Sequence, residues 1–510
     1  MNTHSVSNGN GTVLSEDGRL NREPPAMMAL AFGVVLLLAV AIGYVAANKS
    51  LITVIAIPAI AGVTYMTFKS PRAGLVLLLI FTSTLIAPEF LFALNPKNVY
   101  NAYEGMLIMV IVSSMMAAAR LRQRQGLFER FYSSPVAIAL TVFAVVVLIK
   151  ALTLIIESRF APGTISQMNT FNRSLSLYLL FIPALLLFDT PKKQRWLVMV
   201  FFALGGVVLT RVMLELMFPS WSLFQMFSVA QPLADETPTV DMSVLRLRAP
   251  GGTFMLVCFW IGLMNIALRS WSVRRLALYI PVTLMMLVGI LLEFNRSYVI
   301  PMMVLFVVAL FLNRERVRAK LLTMVIFVLL VAVILLFTTT LLNSYVDAGF
   351  VRYGSTFSSE SLESQSVLGR EIEQQYAWVA IQRAPLFGIA LDEFYRPPVP
   401  EMLDNLRWYI HNSYIWIWTY FGLVGLASFL FVLAAAILRS FLNWQRIRDP
   451  FLQTVVLGFA FSLVTLMSAN IVAPKFYDFA AVPVVALMLG LMEAIIISSR
   501  QEAESGHADA

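Results

Sequence analysis

Apolar stretches of similar length recur along the whole chain, separated by polar links that are mostly short. A helix crossing a hydrocarbon core of ~30 Å needs about 20 apolar residues. On that measure the pattern predicts about 14 spans, at 27–47, 50–68, 74–94, 104–119, 135–156, 173–188, 195–217, 252–269, 275–293, 296–312, 320–342, 412–438, 451–472 and 478–498. Membrane strands are a poor fit, because a barrel alternates apolar and polar positions, whereas 30–40 and 324–337 are apolar on every side. The expected fold is an all-α polytopic membrane protein. Its plan is a polar tail at 1–26, eleven spans within 27–342, a long loop at 343–411, three spans within 412–498 and a second tail at 499–510. The first tail is too long and too mixed in charge for a signal peptide, so the first helix is expected to stay uncleaved.

Two links break the pattern of short connections, 218–251 and 343–411. Structureless connections above ~15 residues are uncommon and are usually functional or disordered. The second is rich in aromatic residues, among them Tyr376, Trp378, Phe387, Phe394, Tyr395, Trp408 and Tyr409. Within it, 369–383 carries Ile372, Tyr376, Val379 and Ala380 at helical spacing with charges opposite, which predicts an amphipathic helix ended by Pro385 and Gly388. The proline-led stretch before His411 suits a second short helix leading into 412–438. The loop's aromatic content sets it apart from a disordered segment; such a loop is either a structural cap or an active-site loop, the latter being the expectation.

Composition agrees with the membrane reading. Of 510 residues, 59% are hydrophobic and 13% charged, against about 25% charged in soluble domains. Mean hydropathy is +0.79. A soluble enzyme on a single anchor and a nucleic-acid-binding chain are both excluded. The net charge of +8 follows from topology. Basic residues gather in alternate links: Lys69 and Arg72; Arg120, Arg122, Arg124 and Arg130; Lys192, Lys193 and Arg195; Arg269, Arg274 and Arg275; Arg314, Arg316, Arg318 and Lys320; Arg439, Arg446 and Arg448. Positive links mark the cytoplasmic side. Both termini are then cytoplasmic, and both long loops face outward. The lone Cys258 allows neither an intrachain disulfide nor a cysteine metal site.

Three histidines are present, and only His411 lies outside the polar tails. An imidazole at the outer end of a span suits general-base chemistry at neutral pH; the plainer alternative is an interfacial histidine among Trp and Tyr anchors. Ionisable residues at membrane depth default to functional candidates. Arg211 and Glu215 are four apart and can pair, Lys150 lies within span 135–156, Glu293 and Arg296 flank a short turn, Arg173 opens span 173–188, and Arg246 and Arg248 precede Gly251. All fall toward the outer side. A cation-lined outward cavity would explain them together, since arginine binds phosphate oxygens in a bidentate fork; taken singly, each could be a snorkelling side chain. Asp392 and Glu393 form an adjacent acidic pair, better read as a solvated turn than as a metal site. No phosphate-binding loop, HExxH or nucleophile elbow occurs.

The segment RAPLFGIALDEF at 383–394, followed by HNSYIWIWTYFGLVGL at 411–426, resembles the signature of the O-antigen ligase and Wzy-type polymerase superfamily. Upstream, LEFNRSYVIP at 292–301 is similar to its "SR" element, with Asn295 where serine is usual, and RLRAPGGTF at 246–254 to its "GTF" stretch. The resemblance implies a GT-C-like, inverting, metal-independent glycosyltransferase needing no cofactor. Its donor would be a polyprenyl-diphosphate-linked glycan, its acceptor a glycan or lipid A-core, its surroundings membrane lipid of the bacterial inner membrane, and its site periplasmic, with no nucleic acid involved. Carried over by position, His411 would be the base, Arg296 and Arg370 would hold the diphosphate, and Arg248 would be a weaker fourth; Arg211 and Arg246, by their charge and outer-side position alone, are further substrate-binding candidates. The span count and the extra outer loop at 218–251 favour a polymerase slightly over a ligase. A lipid-linked oligosaccharide flippase and a protein O-oligosaccharyltransferase are the alternatives. A flippase would need its cations exposed to both sides in turn, and it has little use for a long structured outer loop.

Overall fold

The computed structural model describes residues 51–83, 96–121, 131–157, 174–218, 230–232, 245–247, 251–269, 273–293, 296–310, 365–398 and 407–508. The expected spans 27–47 and 320–342, the tail 1–26, Arg173 and Arg248 lie outside them. In chain order the helices are α1 (Leu51–Lys69), α2 (Pro71–Ser83), α3 (Pro96–Leu121), α4 (Pro135–Glu157), α5 (Phe181–Leu187, entered through a tighter turn at Leu175–Leu180) and α6 (Pro191–Met217). Then come α7 (Gly252–Leu268), α8 (Val273–Leu292), α9 (Arg296–Leu310), α10 (Gln365–Arg383), α11 (Ser413–Asn443), α12 (Pro450–Ala469) and α13 (Val482–Ala508). Contacts divide the chain into two units, Met1–Met66 and Thr67–Ala510, and the candidate site lies wholly within the second.

Helix starts follow local chemistry. Proline, whose missing N–H costs nothing in a first turn, opens α4, α6 and α12. The Ser134 hydroxyl accepts from the Ala137 amide at 3.0 Å and the Asp449 carboxylate from the Phe451 amide at 2.9 Å, each satisfying an orphan donor of the following helix. Among the described residues, 5 helices are long and apolar enough to cross a bilayer: those at Pro135–Glu157, Pro191–Leu216, Ser413–Arg446, Pro450–Ala469 and Val482–Glu504. Shorter apolar helices accompany them, and the protein is a multi-pass membrane protein.

Among the described residues the architecture is helical apart from one ribbon in the 218–251 link, where β1 (Ala230–Pro232) pairs antiparallel with β2 (Leu245–Leu247), Gln231 facing Arg246. Two helices lack a polar face and form the centre, as all-round apolar helices must. On α7 every residue from Gly252 to Ala267 is buried, and the apolar part of α13 is enclosed throughout. α13 packs against α5, α6 and α12, and α7 against α6, α8 and α12. At the periphery α4 packs on α11. It leaves Ile138, Val142, Val145, Ile149, Leu152 and Ile156 exposed, a stripe at helical spacing that faces lipid.

A buried ion pair, Arg439 to Glu493 at 2.8 Å, ties α11 to α13. α11 itself is broken once. Gly422 has φ 67° and ψ −172°, a conformation open essentially to glycine alone.

Candidate active site

His411 sits immediately before α11, and its backbone is gripped from several sides. Asn412 is extended, and its side chain accepts the Tyr414 and Ile415 amides at 2.9 and 3.1 Å, which starts the helix there. The Ser413 amide donates to the Asn470 carbonyl at 3.0 Å and its hydroxyl to Asn470 Oδ1 at 2.6 Å. On the other side the Tyr477 phenol accepts the Ile410 amide at 3.3 Å and donates to the Ile410 carbonyl. Trp416 stacks on Tyr477 at 4.1 Å and donates its indole N–H to the Trp408 carbonyl at 3.1 Å. A reactive side chain needs this kind of support, because looseness of an ångström removes most of its effect.

The imidazole is oriented by a carboxylate. Glu373 Oε2 lies 2.8 Å from His411 Nδ1 and also accepts the His411 amide at 3.0 Å. Glu373 is 3% exposed and His411 34%. A carboxylate is buried at this cost only when donors compensate it, and one residue supplies both. The bond binds Nδ1 and leaves Nε2 as the ring nitrogen with no protein partner among the described residues. Tyr409 packs edge-on against the imidazole at 4.8 Å.

This corrects the expected orientation of the loop helix. α10 turns Glu373, Ala377, Ala380 and Ile381 inward, while Ile372 and Tyr376 are half-buried and Val379 is exposed. Three small or aliphatic residues let α10 approach α11 closely, and the inward Glu373 then meets His411. Of the stretch 397–410, expected as a second short helix, residues 399–406 lie outside the described residues, and 397–398 and 407–410 are not helical.

Two cations, Arg370 and Lys475, act on the Tyr409 phenol beside the pair. Arg370 stands three residues before Glu373, so the two share a helix side. Its Nε is buried without a hydrogen-bond partner among the described residues, and its charge acts on the Tyr409 phenol. Arg296 is the first residue of α9; its side chain is outside the described atoms. Lys475, in the turn between α12 and α13, was not singled out in the sequence. Its ammonium pairs with Asp478 at 3.2 Å, lies 5.9 Å from the Tyr298 ring, and acts on Tyr409. Burial opposes that charge, but Tyr298, Asp478 and Glu293 outweigh it and hold the ammonium above its ordinary range. The phenols of Tyr395 and Tyr409 are pushed well above their ordinary value, first by burial and then by the Glu373 carboxylate. They remain neutral hydrogen-bonding groups.

Below the histidine, the PLFG stretch docks into the break of α11. The Leu423 amide donates to the Pro385 carbonyl at 2.9 Å, the Val424 amide to Leu386 at 3.2 Å, and the Ile389 amide to Thr419 at 2.9 Å. Lys150 of α4 donates to the carbonyls of Gly388 and Ile389 at 3.1 and 2.8 Å. Gly388 and Gly422, both at positive φ, meet back to back. A Cβ on Gly388 would lie 2.4 Å from the Tyr420 carbonyl carbon, and one on Gly422 2.1 Å from the Leu386 oxygen. Two separate sequence motifs are thus one structural joint.

The remaining candidates lie elsewhere in the pattern. Arg211 pairs with Glu215 at 2.9 Å, 10% and 3% exposed, so its charge is compensated within α6. Arg246 lies on β2. Glu393 pairs with Arg383 at 3.0 Å, consistent with a surface turn. Glu373 escaped the sequence reading because its partner lies 38 residues away. The available signal was a carboxylate in phase with Ala377 and Ala380.

Residues 281–430 match the family model described as O-antigen ligase. Comparison with curated proteins gives no match. The matched stretch runs from Pro281 of α8 into α11 and contains Arg296, Arg370, Glu373 and His411; Lys150, Arg211, Arg246, Arg248 and Lys475 fall outside it. The resemblance to the O-antigen ligase and Wzy-type superfamily is therefore shown for this region. It associates this region with glycosyltransferase-like enzyme activity in general.

Proposed function

We propose that the O-antigen ligase region at 281–430 catalyses glycan transfer from a polyprenyl-diphosphate-linked donor at the periplasmic face of the inner membrane. One observation carries the reading: the buried Glu373 holds His411 through Nδ1 at 2.8 Å, so Nε2 is the nitrogen left to take a proton. A carboxylate that fixes tautomer and orientation is the arrangement by which histidine serves as a base elsewhere. In the step we infer, an acceptor hydroxyl oxygen attacks the anomeric carbon, the bond from that carbon to the diphosphate oxygen breaks, and the hydroxyl proton passes to His411 Nε2. Attack opposite the leaving group inverts the anomeric centre. The polyprenyl diphosphate departs with the bonding electrons, and Arg370, with Arg296, stabilises the growing negative charge.

Within this class we favour a polymerase over a ligase that acts on lipid A-core, on the strength of the additional link at 218–251 and its β ribbon. His411→Ala is the direct test. Transfer in membranes should vanish while protein abundance stays at the wild-type level; persisting transfer would remove His411 as the base. Polymerase and ligase separate by product in a deletion strain, which loses long chains in the first case and core-attached chains in the second.

A further inference from the structure

The loop helix α10 packs along α11. Two anchors fix its course. Glu373 of α10 meets His411, just before α11 begins, and the Pro385 carbonyl after α10 meets the Leu423 amide beyond the break of α11. At 1.5 Å per residue, Glu373 to Arg383 measures about 15 Å and Ser413 to Gly422 about 14 Å. The two lengths agree, so α10 follows α11 downward from the histidine. Trp378 and Trp418 meet midway, edge to face at 5.7 Å.

Two neighbours give the depth. α12, Pro450–Ala469, is about 30 Å long, one hydrocarbon thickness, and Asn470 at its end bonds Ser413. Ser413 therefore marks the boundary, and the turn at Gly422 lies about 14 Å inside it. On α4, Lys150 touches the same turn about 10 Å short of the helix end at Glu157. Leu152 and Ile156 lie beyond Lys150 toward that end, and both are exposed. The lipid-facing stripe thus continues past the level of the turn.

Irregular backbone survives at such depth only where the protein satisfies its polar groups, and most are satisfied here, the exceptions among the described residues being the amides of Leu386 and Phe387 and the Phe387 carbonyl. The carbonyls of Pro385, Leu386, Gly388 and Ile389 all accept, and the amides of Gly388 and Ile389 both donate. A lysine inside a lipid-facing span, costly alone, is used for two of those bonds. What the turn presents outward is apolar, Leu386 at 54% and Phe387 at 65% exposed.

We propose that the turn at 384–389 is the tip of a re-entrant segment that reaches into the leaflet on the His411 side. Leu386 and Phe387 lie against the acyl chains of bilayer lipid. The surface is continuous with the lipid-facing sides of α4 and of α11, where Leu423 and Val424 are also exposed. The proposal does not rest on the transferase reading.

The test uses the full chain in phosphatidylcholine liposomes, spin-labelled at Phe387→Cys and, separately, at Leu386→Cys. The buried Cys258 is checked by labelling the unsubstituted chain. Collision rates with oxygen and with a water-soluble nickel chelate are compared with those at Leu152→Cys on the lipid stripe and Gln445→Cys in an exposed link. Both test positions should match Leu152→Cys, with oxygen favoured and nickel collisions several-fold below those at Gln445→Cys. Nickel collisions equal to Gln445→Cys would mean a surface in water, and low collision with both probes a surface covered by protein; either overturns the proposal. A fold defect in one variant leaves the other position to decide.

Discussion

Replacing Gly422 by alanine strikes the joint between the PLFG stretch and α11. The backbone there, at φ 67° and ψ −172°, costs a residue with a side chain about 1–3 kcal/mol. The new methyl would sit 2.1 Å from the Leu386 oxygen and 2.2 Å from its carbonyl carbon, so the strands of the joint must part. Parting them breaks the bonds from Leu423 to Pro385 at 2.9 Å and from Val424 to Leu386 at 3.2 Å, each worth about 1 kcal/mol net. The sum is roughly 4 kcal/mol, or about a thousandfold in the opening equilibrium. Hydrogen exchange read by mass spectrometry on a peptide covering 418–426 measures that equilibrium directly. Gly206→Ala is the control: a Cβ there meets nothing within 4 Å, and in a helix interior alanine should stabilise by about 1 kcal/mol. If the Gly422→Ala peptide exchanges like wild type, the joint is not what fixes the turn, and the strain reasoning fails.

Glu373→Gln keeps the shape but removes the charge, and should lower kcat of glycan transfer by about a hundredfold, within the range of general-base contributions, while donor KM stays nearly constant; a purely structural role would instead move protein yield and KM together. Arg370→Lys keeps a charge but loses the planar fork, so kcat/KM for a diphosphate donor should drop by at least about tenfold, and wild-type kinetics would exclude phosphate contact. Lys150→Met abandons two carbonyls, at 3.1 and 2.8 Å. It should destabilise by about 2–3 kcal/mol, seen as a lower Tm in detergent. The raised phenols of Tyr395 and Tyr409 ionise in the unfolded chain first, as pH passes about 10. The folded state then holds more protons, so stability should be unaffected below that pH and fall above it, which melts across the alkaline range will check.

Much of this was legible along the chain, for physical reasons that differ by level. Helix positions follow from apolar length, and the described helices stand at or near the expected spans inside 50–310 and 412–498. The Arg211–Glu215 pair follows from spacing within one helix. His411 stands out by elimination, as the sole histidine outside the tails. The partner of His411 was not legible, because it depends on how α10 rotates. Of the expected stripe of Ile372, Tyr376, Val379 and Ala380, only Ala380 is fully buried; close packing on α11 selected it together with Ala377 and brought Glu373 in with them. Hydrophobic periodicity assumes that the more apolar face turns to the protein, and beside a bilayer that assumption fails. Lys150 was visible as a charge within a span, yet its role required the broken helix that faces it.

The grip on His411 reaches beyond the stretch that matches the family. Asn470 and Tyr477, which hold Ser413 and Ile410, belong to the hairpin of α12 and α13, downstream of residue 430. The histidine therefore cannot be transplanted with its motif. A chimera that receives only the matched stretch would inherit His411 and Glu373 but lose the hairpin that fixes them. Swaps meant to exchange specificity between relatives should break upstream of α10 and carry everything through α13.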